Sequence, residues 1–374
     1  MKTATFGIGL LAACIGAPLW GQSLSTIASP AWSPKAAGAY LDGRLTWWMN
    51  WPVAARDHQT FCVSCHTALP YALARPALRA SLAEQAPSPV EAKLLNNVTK
   101  RVRMWNEVEP FYPDAQRGVP KTAESRGTES ILNALILVSY DQPASQLSSD
   151  ARLALDNMWA QQLKTGDAKG AWAWLQFHNS PWEGDSQYYG ATLAALAVGR
   201  APASYRNRAE ITERLDALRD YLVRERDSQA LINRVMLLWA STGVSGLLTP
   251  AQRNAIIAEA LSKQQADGGF SLSAFVAGWK RHDNTPLETK SDGLATGIVT
   301  LALERAGMSP SQPQLMRSLR WLTHNQDKTE GRWLAYSLNK QRDLSTDVGK
   351  FMSDAATAYA VLALEGANAP TATD

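Results

Sequence analysis

The pentapeptide Cys62-Val63-Ser64-Cys65-His66 has the residue types and the spacing that attach haem covalently to a protein. In this chemistry the two thiols add to the vinyl groups of the porphyrin, and the adjacent imidazole ligates the iron. On one turn of helix, Cys62, Cys65 and His66 would share a face, so that three bonds converge on one porphyrin edge. We therefore predict one covalent haem c held by Cys62 and Cys65, with His66 as an axial ligand of the iron.

Three other interpretations of the motif stay open: a redox-active disulfide, half of a zinc site, or a chance match. A cysteine-rich zinc site needs a second cysteine pair, but the only other cysteine is Cys14, near the N-terminus. No alternation of strands and helices around the motif indicates a thioredoxin-like fold. These observations favour the haem over its alternatives.

Residues 1–21 have the pattern of a secretory signal peptide. Lys2 precedes an apolar run from Ala4 to Ala17, which is too short to span a bilayer. Residues 11–14 also resemble a bacterial lipoprotein box, in which Cys14 would become a lipidated N-terminus. We predict a periplasmic or secreted bacterial protein, with a lipid anchor through Cys14 as the alternative. Export agrees with haem attachment, which takes place outside the bacterial cytoplasm.

Composition excludes some classes of partner. The chain has 374 residues, of which 45% are hydrophobic, and a formal net charge of +3. Such a balance gives a large core but no basic stripe, which argues against a nucleic-acid partner. No stretch after the leader is continuously apolar over about 18 residues, so we predict no transmembrane segment in the mature chain.

The rest of the chain alternates two kinds of helical segment. The first kind is amphipathic and charged, which predicts outer helices: Pro34–Met49, Pro89–Trp105, Ser149–Lys164, Ala209–Arg226, Pro250–Gln265 and Pro313–Gln326. The second kind is rich in alanine and apolar nearly all round, which predicts buried inner helices: a helix containing Cys65, then Glu129–Tyr140, Ser186–Val198, Gln229–Ser241, Ser291–Leu303 and Ser353–Leu364.

These six outer–inner pairs predict an all-α fold. The inner segments 295–303 and 356–364 resemble each other residue by residue, as repeats do. No pair can bury its inner helix alone, so we expect the six pairs to close into an (α/α)6 toroid over residues 30–366. An open solenoid of the same repeats is the alternative. Residues 367–374 are predicted to be a disordered tail.

The connection after the last outer helix carries a second motif. Arg317, Trp321-Leu322, Gln326 and the segment 331–333 (Gly-Arg-Trp) resemble the QW repeat of squalene and oxidosqualene cyclases. Residues 261–270 and 158–172 contain looser copies. Because a glutamine can bond orphan backbone groups at helix ends and the aromatic ring can pack over the turn, we interpret the motif as structural.

The chain thus resembles the superfamily of terpenoid cyclases and protein prenyltransferases, which implies the toroid but no particular activity. The resemblance covers most of the mature chain. Squalene-hopene-type cyclases use an Asp-x-Asp-Asp acid, and that string is absent. Protein prenyltransferases hold zinc through Asp, Cys and His, whereas Cys62 and Cys65 already belong to the haem motif. Residues 62–76 also resemble a stretch of uncharacterised exported bacterial proteins that join such a motif to these repeats.

In a toroid, all outer-to-inner loops lie at one end of the barrel, so the motif should stand at the barrel mouth. Long loops at 105–125 and 270–291 favour a lid or a binding role. The polar and aromatic residues expected at the same rim are His58, Met104, Trp105, Trp172, Trp174, His178, Trp182, Asp185, Trp279, His282, Asp283 and Trp333.

The sixth iron ligand is left open among four residues: His58, His178, His282 and Met104. For each of them, an exposed loop histidine or a packed methionine is the alternative. An empty sixth position would favour chemistry on a substrate or a peroxide, whereas a filled one would favour electron transfer. His324 lies inside an outer helix, and we expect it to be structural.

Aromatic and acidic residues near the loops each have two interpretations. Trp172, Trp321 and Trp333 are expected to pack the repeats, with the lining of a cavity for an apolar polycyclic or isoprenoid ligand as the alternative. The cluster Trp47, Trp48 and Trp51 could pack against a porphyrin, but an amphipathic helix face explains it equally well. The acidic residues near the starts of inner helices are expected to cap those helices, with general acid catalysis as the alternative. They are Asp185, Asp292 and Asp354.

Our leading hypothesis is electron transfer or haem-assisted oxidation at the mouth of an apolar cavity. Its partners would be an apolar or isoprenoid small molecule, or a redox protein. A cyclase-like enzyme without the usual acid, in which the haem is peripheral, is one alternative. A non-catalytic module that binds a lipid or a redox partner is the other.

Overall fold

The computed structural model describes residue 1 and residues 32–141, 146–177 and 186–368. The predicted signal peptide, Cys14, His178, Trp182, Asp185 and most of the predicted tail lie outside these residues. Within them the fold is all-α, as predicted, with one small hairpin of two-residue strands, β1 (Ala55–Arg56) and β2 (Thr60–Phe61).

The described helices are of two kinds, as the pattern indicates. The outer helices are α1 (Pro34–Asn50), α3 (Pro89–Arg103), α6 (Ser149–Ala160), α9 (Ala209–Glu225), α11 (Pro250–Ser262) and α13 (Pro313–His324). The inner helices are α2 (Ala68–Ser81), α5 (Lys121–Asp141), α7 (Gln187–Arg200), α10 (Leu231–Ala240), α12 (Gly293–Arg305) and α14 (Phe351–Asn368). Two four-residue helices, α4 (Asp114–Arg117) and α8 (Ala203–Arg206), lie in the connections.

Local sequence explains where the outer helices begin. The side chains of Ser33, Ser88 and Thr249 accept hydrogen bonds from backbone N–H groups of the first turn, and a proline follows each of them. A side-chain cap satisfies a donor that has no partner within the helix, and proline lacks the N–H that would be orphaned there. The residues at the start of each of these helices therefore determine where the helix begins.

Contacts join the six inner helices in a cycle. Each inner helix packs against the next along the chain, from α2 through α5, α7, α10 and α12 to α14, and α14 packs against α2. Helix α1 also contacts both α2 and α14, so the first outer helix bridges the two ends of the chain.

The QW-like glutamines tie neighbouring repeats together. Gln326 Nε2 donates to the carbonyl of Ser33 at 3.1 Å, and its Oε1 accepts from Ser33 N at 2.6 Å. Gln162 and Gln264 make equivalent bonds to carbonyls of the next outer helix, at Arg214 and Gln314. The structural interpretation of this motif is confirmed, and the bond from Gln326 to Ser33 links the last repeat to the first.

Glycines after these glutamines let the repeats approach closely. Gly331 has a positive φ of 78°, and a Cβ at this position would collide with the backbone of Ala36 in α1. Gly170 and Gly268 meet the next outer helix in the same way. Glycine adopts a positive φ without strain and has no Cβ to collide with the neighbouring helix. The three junctions therefore share one kind of turn.

Three local features differ from the expectation. The hairpin β1–β2 precedes the motif and was not predicted. Helix α5 begins at Lys121, well before the predicted Glu129, and its added turns take up part of the loop predicted at 105–125. Helix α2 begins at Ala68, so the prediction of a helix containing Cys65 is wrong.

None of the described helices combines the length and the apolar character that crossing a bilayer requires.

Candidate haem site around His66

Backbone and side-chain bonds fix the first half of the motif in an extended conformation. Cys62 N donates to the carbonyl of Ala54 at 2.8 Å, and the carbonyl of Cys62 accepts from Trp48 Nε1 at 2.6 Å. The amide of Asn97 on α3 brackets Phe61, bonding both its N–H and its carbonyl. The hairpin and α3 thereby hold Cys62 in place, and its side chain is buried.

Ser64 explains why the motif is not helical. Its hydroxyl accepts hydrogen bonds from Thr67 N at 3.3 Å and Ala68 N at 3.0 Å, so it caps the turn that leads into α2. Residues 62–64 are in neither helix nor strand, and the chain turns over residues 65–67 before α2, whose N-cap is Thr67. Our expectation that Cys62, Cys65 and His66 share one helical turn fails for this reason.

Aromatic rings enclose the imidazole of His66. The ring of Phe351 stacks on it with a centroid distance of 3.9 Å and an angle of 26° between the planes. Trp48 meets it edge-on at 5.1 Å, and Trp51 in turn packs against both Trp48 and Phe351. The cluster of Trp47, Trp48 and Trp51 thus borders His66.

The imidazole of His66 is neutral over the physiological pH range. Burial lowers its pKa to about 3, and the positive charges of Arg44 and Arg342 act in the same direction. Its Nδ1 lies 2.9 Å from the hydroxyl of Thr67, which itself donates to Asp354 Oδ2 at 2.7 Å. A neutral imidazole is the form that ligates a metal.

His66 lines a cleft of about 250 Å³ that is built from outer-to-inner loops and the start of α14. Among its described lining residues there is no carboxylate, and His66 is the only histidine. The lining residues are Trp48, Trp51, Val53, His66, Tyr112, Arg117, Phe177, Ser337, Leu338, Asn339, Arg342, Val348, Phe351 and Met352. The cleft is therefore aromatic and cationic, and four of the six outer-to-inner connections contribute to it.

Cys65 lies near two buried tyrosines of the inner helices. Burial raises the pKa of Tyr359 to about 12 and also raises the pKa of Tyr189, and the nearby Cys65 adds to both increases. The hydroxyls of Tyr189 and Tyr359 come within 3.5 Å of each other. These tyrosines belong to α7 and α14, the third and sixth inner helices, so the hydroxyls join two helices that are far apart along the chain.

None of the described candidates for a sixth iron ligand lines the cleft. His58 is an exposed residue of the hairpin turn, 3.5 Å from Asp57, and Met104 ends α3. The backbone of His282 donates to the carbonyl of Asn339, which lines the cleft, but the His282 side chain is exposed. Among the described residues that line the cleft, His66 and Met352 have side chains of the types that ligate iron.

The long loop at 270–291 supports a segment that lines the cleft. Trp279 Nε1 donates to the carbonyl of Leu338 at 2.7 Å, and Asp283 accepts from the backbone of Gln341 at 2.7 Å. The loop at 105–125 contributes Tyr112 directly to the cleft. The loop at 105–125 therefore lines the cleft, and the loop at 270–291 supports the segment that lines it.

The other predicted aromatic residues pack the repeats. Trp172 and Trp333 are buried and donate to carbonyls at the ends of the preceding outer helices, and Trp321 donates to Asp267. Trp174 is buried near Tyr189, and Trp105 lies under Arg126. His324 bonds the carbonyl of Arg320 within its own helix, as expected for a structural residue.

The two described acidic residues at inner helices play different roles. Asp292 caps α12 by accepting from the backbone of Leu294 and Ala295, as predicted. Asp354 lies in the first turn of α14, where an acidic residue complements the helix dipole as expected. Its hydrogen-bond partners within the described residues, however, are the side chains of Arg44, at 2.7 Å, Tyr40 and Thr67 and no backbone N–H group. The capping prediction for Asp354 is therefore wrong, because its partners come from α1 and from the turn before α2.

Thr67, Asp354 and Phe351 belong to the site but were not predicted to act together. Thr67 follows the motif directly, so its position in the sequence could have indicated a role at the site. The other two come from a helix almost 290 residues further along the chain. No local pattern pairs residues at that distance.

The donor set of this segment fits a covalent haem. Cys62, Cys65 and His66 supply the two thiols and the imidazole that such a haem needs, and of the three only His66 is among the described residues that line the cleft. The hydrogen bond between Nδ1 and Thr67 leaves Nε2 of His66 for iron. The volume of about 250 Å³ lies just below the range of about 300–1,000 Å³ for small-molecule sites. A porphyrin therefore requires the rim of the cleft to widen.

Metal sites of another kind find no support: the described residues contain no group of three or more His, Cys, Asp and Glu side chains that could hold a metal ion. In comparisons with known proteins, no family model and no curated protein matches this chain.

Proposed function

We propose that this chain is an exported c-type haem protein, in which Cys62 and Cys65 carry one haem and His66 ligates its iron. The observation that carries the proposal is the placement of His66, neutral and bonded through Nδ1, in a cleft whose described lining is aromatic and cationic. Haem supplies one-electron chemistry at such a site. The proposed role is electron transfer or haem-assisted oxidation at the mouth of the helix ring, with a redox protein or an apolar small molecule as partner.

The surrounding residues suit this role. Trp48 and Phe351 pack against the imidazole, and Trp51 packs against both of them. The guanidinium groups of Arg117 and Arg342 line the same cleft. They offer positive charge to the carboxylates that every haem carries.

We also propose the (α/α)6 toroid as the arrangement of the six pairs. The cycle of contacts among the inner helices supports it, as does the repeated junction at Gly170, Gly268 and Gly331. The likeness to cyclases does not extend to their chemistry. Asp292 is committed to three backbone N–H groups and Asp354 to Arg44, so neither is a free acid.

The visible spectrum of the purified protein tests the proposal. After export together with cytochrome c maturation machinery, we expect a Soret band and a haem-staining band that survives denaturing electrophoresis. The double variant Cys62→Ser/Cys65→Ser is the matched control and should lose both signals. A wild-type protein without either signal contradicts the proposal. A high-spin spectrum would favour oxidation of a substrate, and a low-spin six-coordinate spectrum would favour electron transfer.

A further inference from the structure

A chain of hydrogen bonds connects the imidazole of His66 to a buried carboxylate. His66 Nδ1 lies 2.9 Å from Thr67 Oγ1, and Thr67 Oγ1 donates to Asp354 Oδ2 at 2.7 Å. A threonine hydroxyl has one proton to donate, and a carboxylate can only accept. Since Thr67 gives its proton to Asp354, it must accept one from His66. The chain therefore fixes the tautomer of His66, with the proton on Nδ1 and a lone pair on Nε2.

Asp354 is held firmly enough to orient this chain. Its side chain is 1% exposed. Oδ1 accepts from Tyr40 at 2.8 Å and from Arg44 Nε at 2.7 Å, both on α1, while Oδ2 also receives a longer bond from Arg44. Arg44 is fixed in turn by Asp347, just before α14. The carboxylate cannot turn without breaking several charge-assisted bonds, so Oδ2 stays directed at Thr67.

We propose that Thr67 and Asp354 are positioning residues for the iron ligand, setting the tautomer, the orientation and the electron donation of His66. This inference rests on the proposed haem function. Histidines that ligate metals usually donate their other ring N–H to a carboxylate or a carbonyl, and such partners raise the basicity of the ligand. Here the hydroxyl of Thr67 lies between the imidazole and the carboxylate and forms a hydrogen bond with each of them, as a relay. A more basic imidazole stabilises ferric over ferrous iron, so the relay lowers the reduction potential.

The midpoint potential of the haem-bearing protein tests the relay, because a merely structural role would not move it. Thr67→Val keeps the shape of the side chain and removes the hydroxyl. We expect the equilibrium constant for reduction to rise at least tenfold, which is a positive shift of 59 mV or more for one electron. Thr67→Ser keeps a hydroxyl and should restore the wild-type potential. Thr296→Val removes a buried hydroxyl that bonds Phe270 instead and should leave the potential unchanged.

The outcomes separate the two claims. A wild-type protein that acquires no haem overturns the proposed function and the relay with it. A haem-bearing wild type whose potential equals that of Thr67→Val overturns the relay alone, and so does a Thr67→Ser variant that behaves like Thr67→Val. Should Thr67→Val fail to fold, Thr67→Ala removes the same hydroxyl with less steric demand. The same positive shift is expected for it, and an unchanged potential contradicts the relay.

Discussion

At the scale of single residues, the site depends on groups that are buried and therefore sensitive to their partners. Arg44 is 6% exposed and binds Asp354 and Asp347 together. Removing one member of a buried pair leaves an uncompensated charge, which costs far more than the loss of an exposed pair. The tautomer of His66 is thus secured by residues that the stability of the fold itself requires.

A second buried acid makes the stability of the protein depend on pH. Both carboxyl oxygens of Glu304 on α12 are inaccessible and accept no hydrogen bond within the described residues. Burial raises its pKa to about 8, from an ordinary value of 4.5, against a smaller opposing effect of Arg305. The folded protein therefore keeps a proton that the unfolded chain loses between pH 4.5 and 8, and the free energy of unfolding should fall as the pH rises through this range.

Glu304→Gln tests this prediction, because it removes the titration but keeps the shape. Each pKa unit corresponds to about 1.4 kcal/mol, so the variant should be more stable than the wild type by roughly 2–4 kcal/mol at pH 9. Near pH 4.5 the two should unfold alike in urea. The exposed residue Glu213 offers the matched control, Glu213→Gln, which should show no such trend. Parallel stability profiles for wild type and Glu304→Gln would contradict the prediction.

At the scale of helices and turns, the junction between repeats is the critical element. Gly331 closes the contact between the last connection and α1, where a Cβ would strike the backbone of Ala36. Gly166 has nearly the same φ of 75°, but nothing lies within 4 Å of its missing Cβ. The two glycines thus separate the effect of backbone conformation from that of close approach.

Gly331→Ala should therefore destabilise the protein more than Gly166→Ala. A positive φ alone costs about 1–2 kcal/mol for alanine, and we expect this from Gly166→Ala. Gly331→Ala adds a backbone clash and should cost several kcal/mol, of the order of 3 or more. Chemical denaturation monitored by tryptophan fluorescence measures both. Equal losses in the free energy of unfolding for the two variants would contradict a close contact between Gly331 and α1.

Much at this scale could be predicted from the sequence because it is local. Pro34, Pro89, Pro250 and Pro313 begin their helices where the pattern places them, since capping and the missing N–H are properties of neighbouring residues. The helical turn expected at the haem motif is absent because Ser64 caps the turn before α2. The relay from Thr67 to Asp354 could not be predicted, because only tertiary packing joins residues so distant in sequence.

At the scale of the whole molecule, the proposed toroid requires contact between the first and the last repeat. The described inner helices contact one another in a cycle, and α1 meets both α2 and α14. Tyr189 and Tyr359 join two of these helices, α7 and α14, that are far apart along the chain. The cavity that we propose for the haem is the cleft around His66, to which four of the six outer-to-inner connections contribute.

Small-angle X-ray scattering tests the closure in solution. A compact chain of this size should have a radius of gyration of about 20 Å. The distance distribution of a closed ring should be a single, nearly symmetric peak. An open solenoid of the same repeats would give a larger radius and a tail at long distances, and that result would contradict the toroid.

The central claim is that haem is bound covalently through the motif, and the intact mass of the denatured protein tests it most directly. Export with the maturation machinery should give a single species heavier than the polypeptide by one haem, and digestion should place the added mass on the peptide that contains Cys62 and Cys65. Denaturation removes any haem that is held without covalent bonds. A mass equal to that of the polypeptide alone, under conditions that load a known c-type cytochrome, would contradict the account.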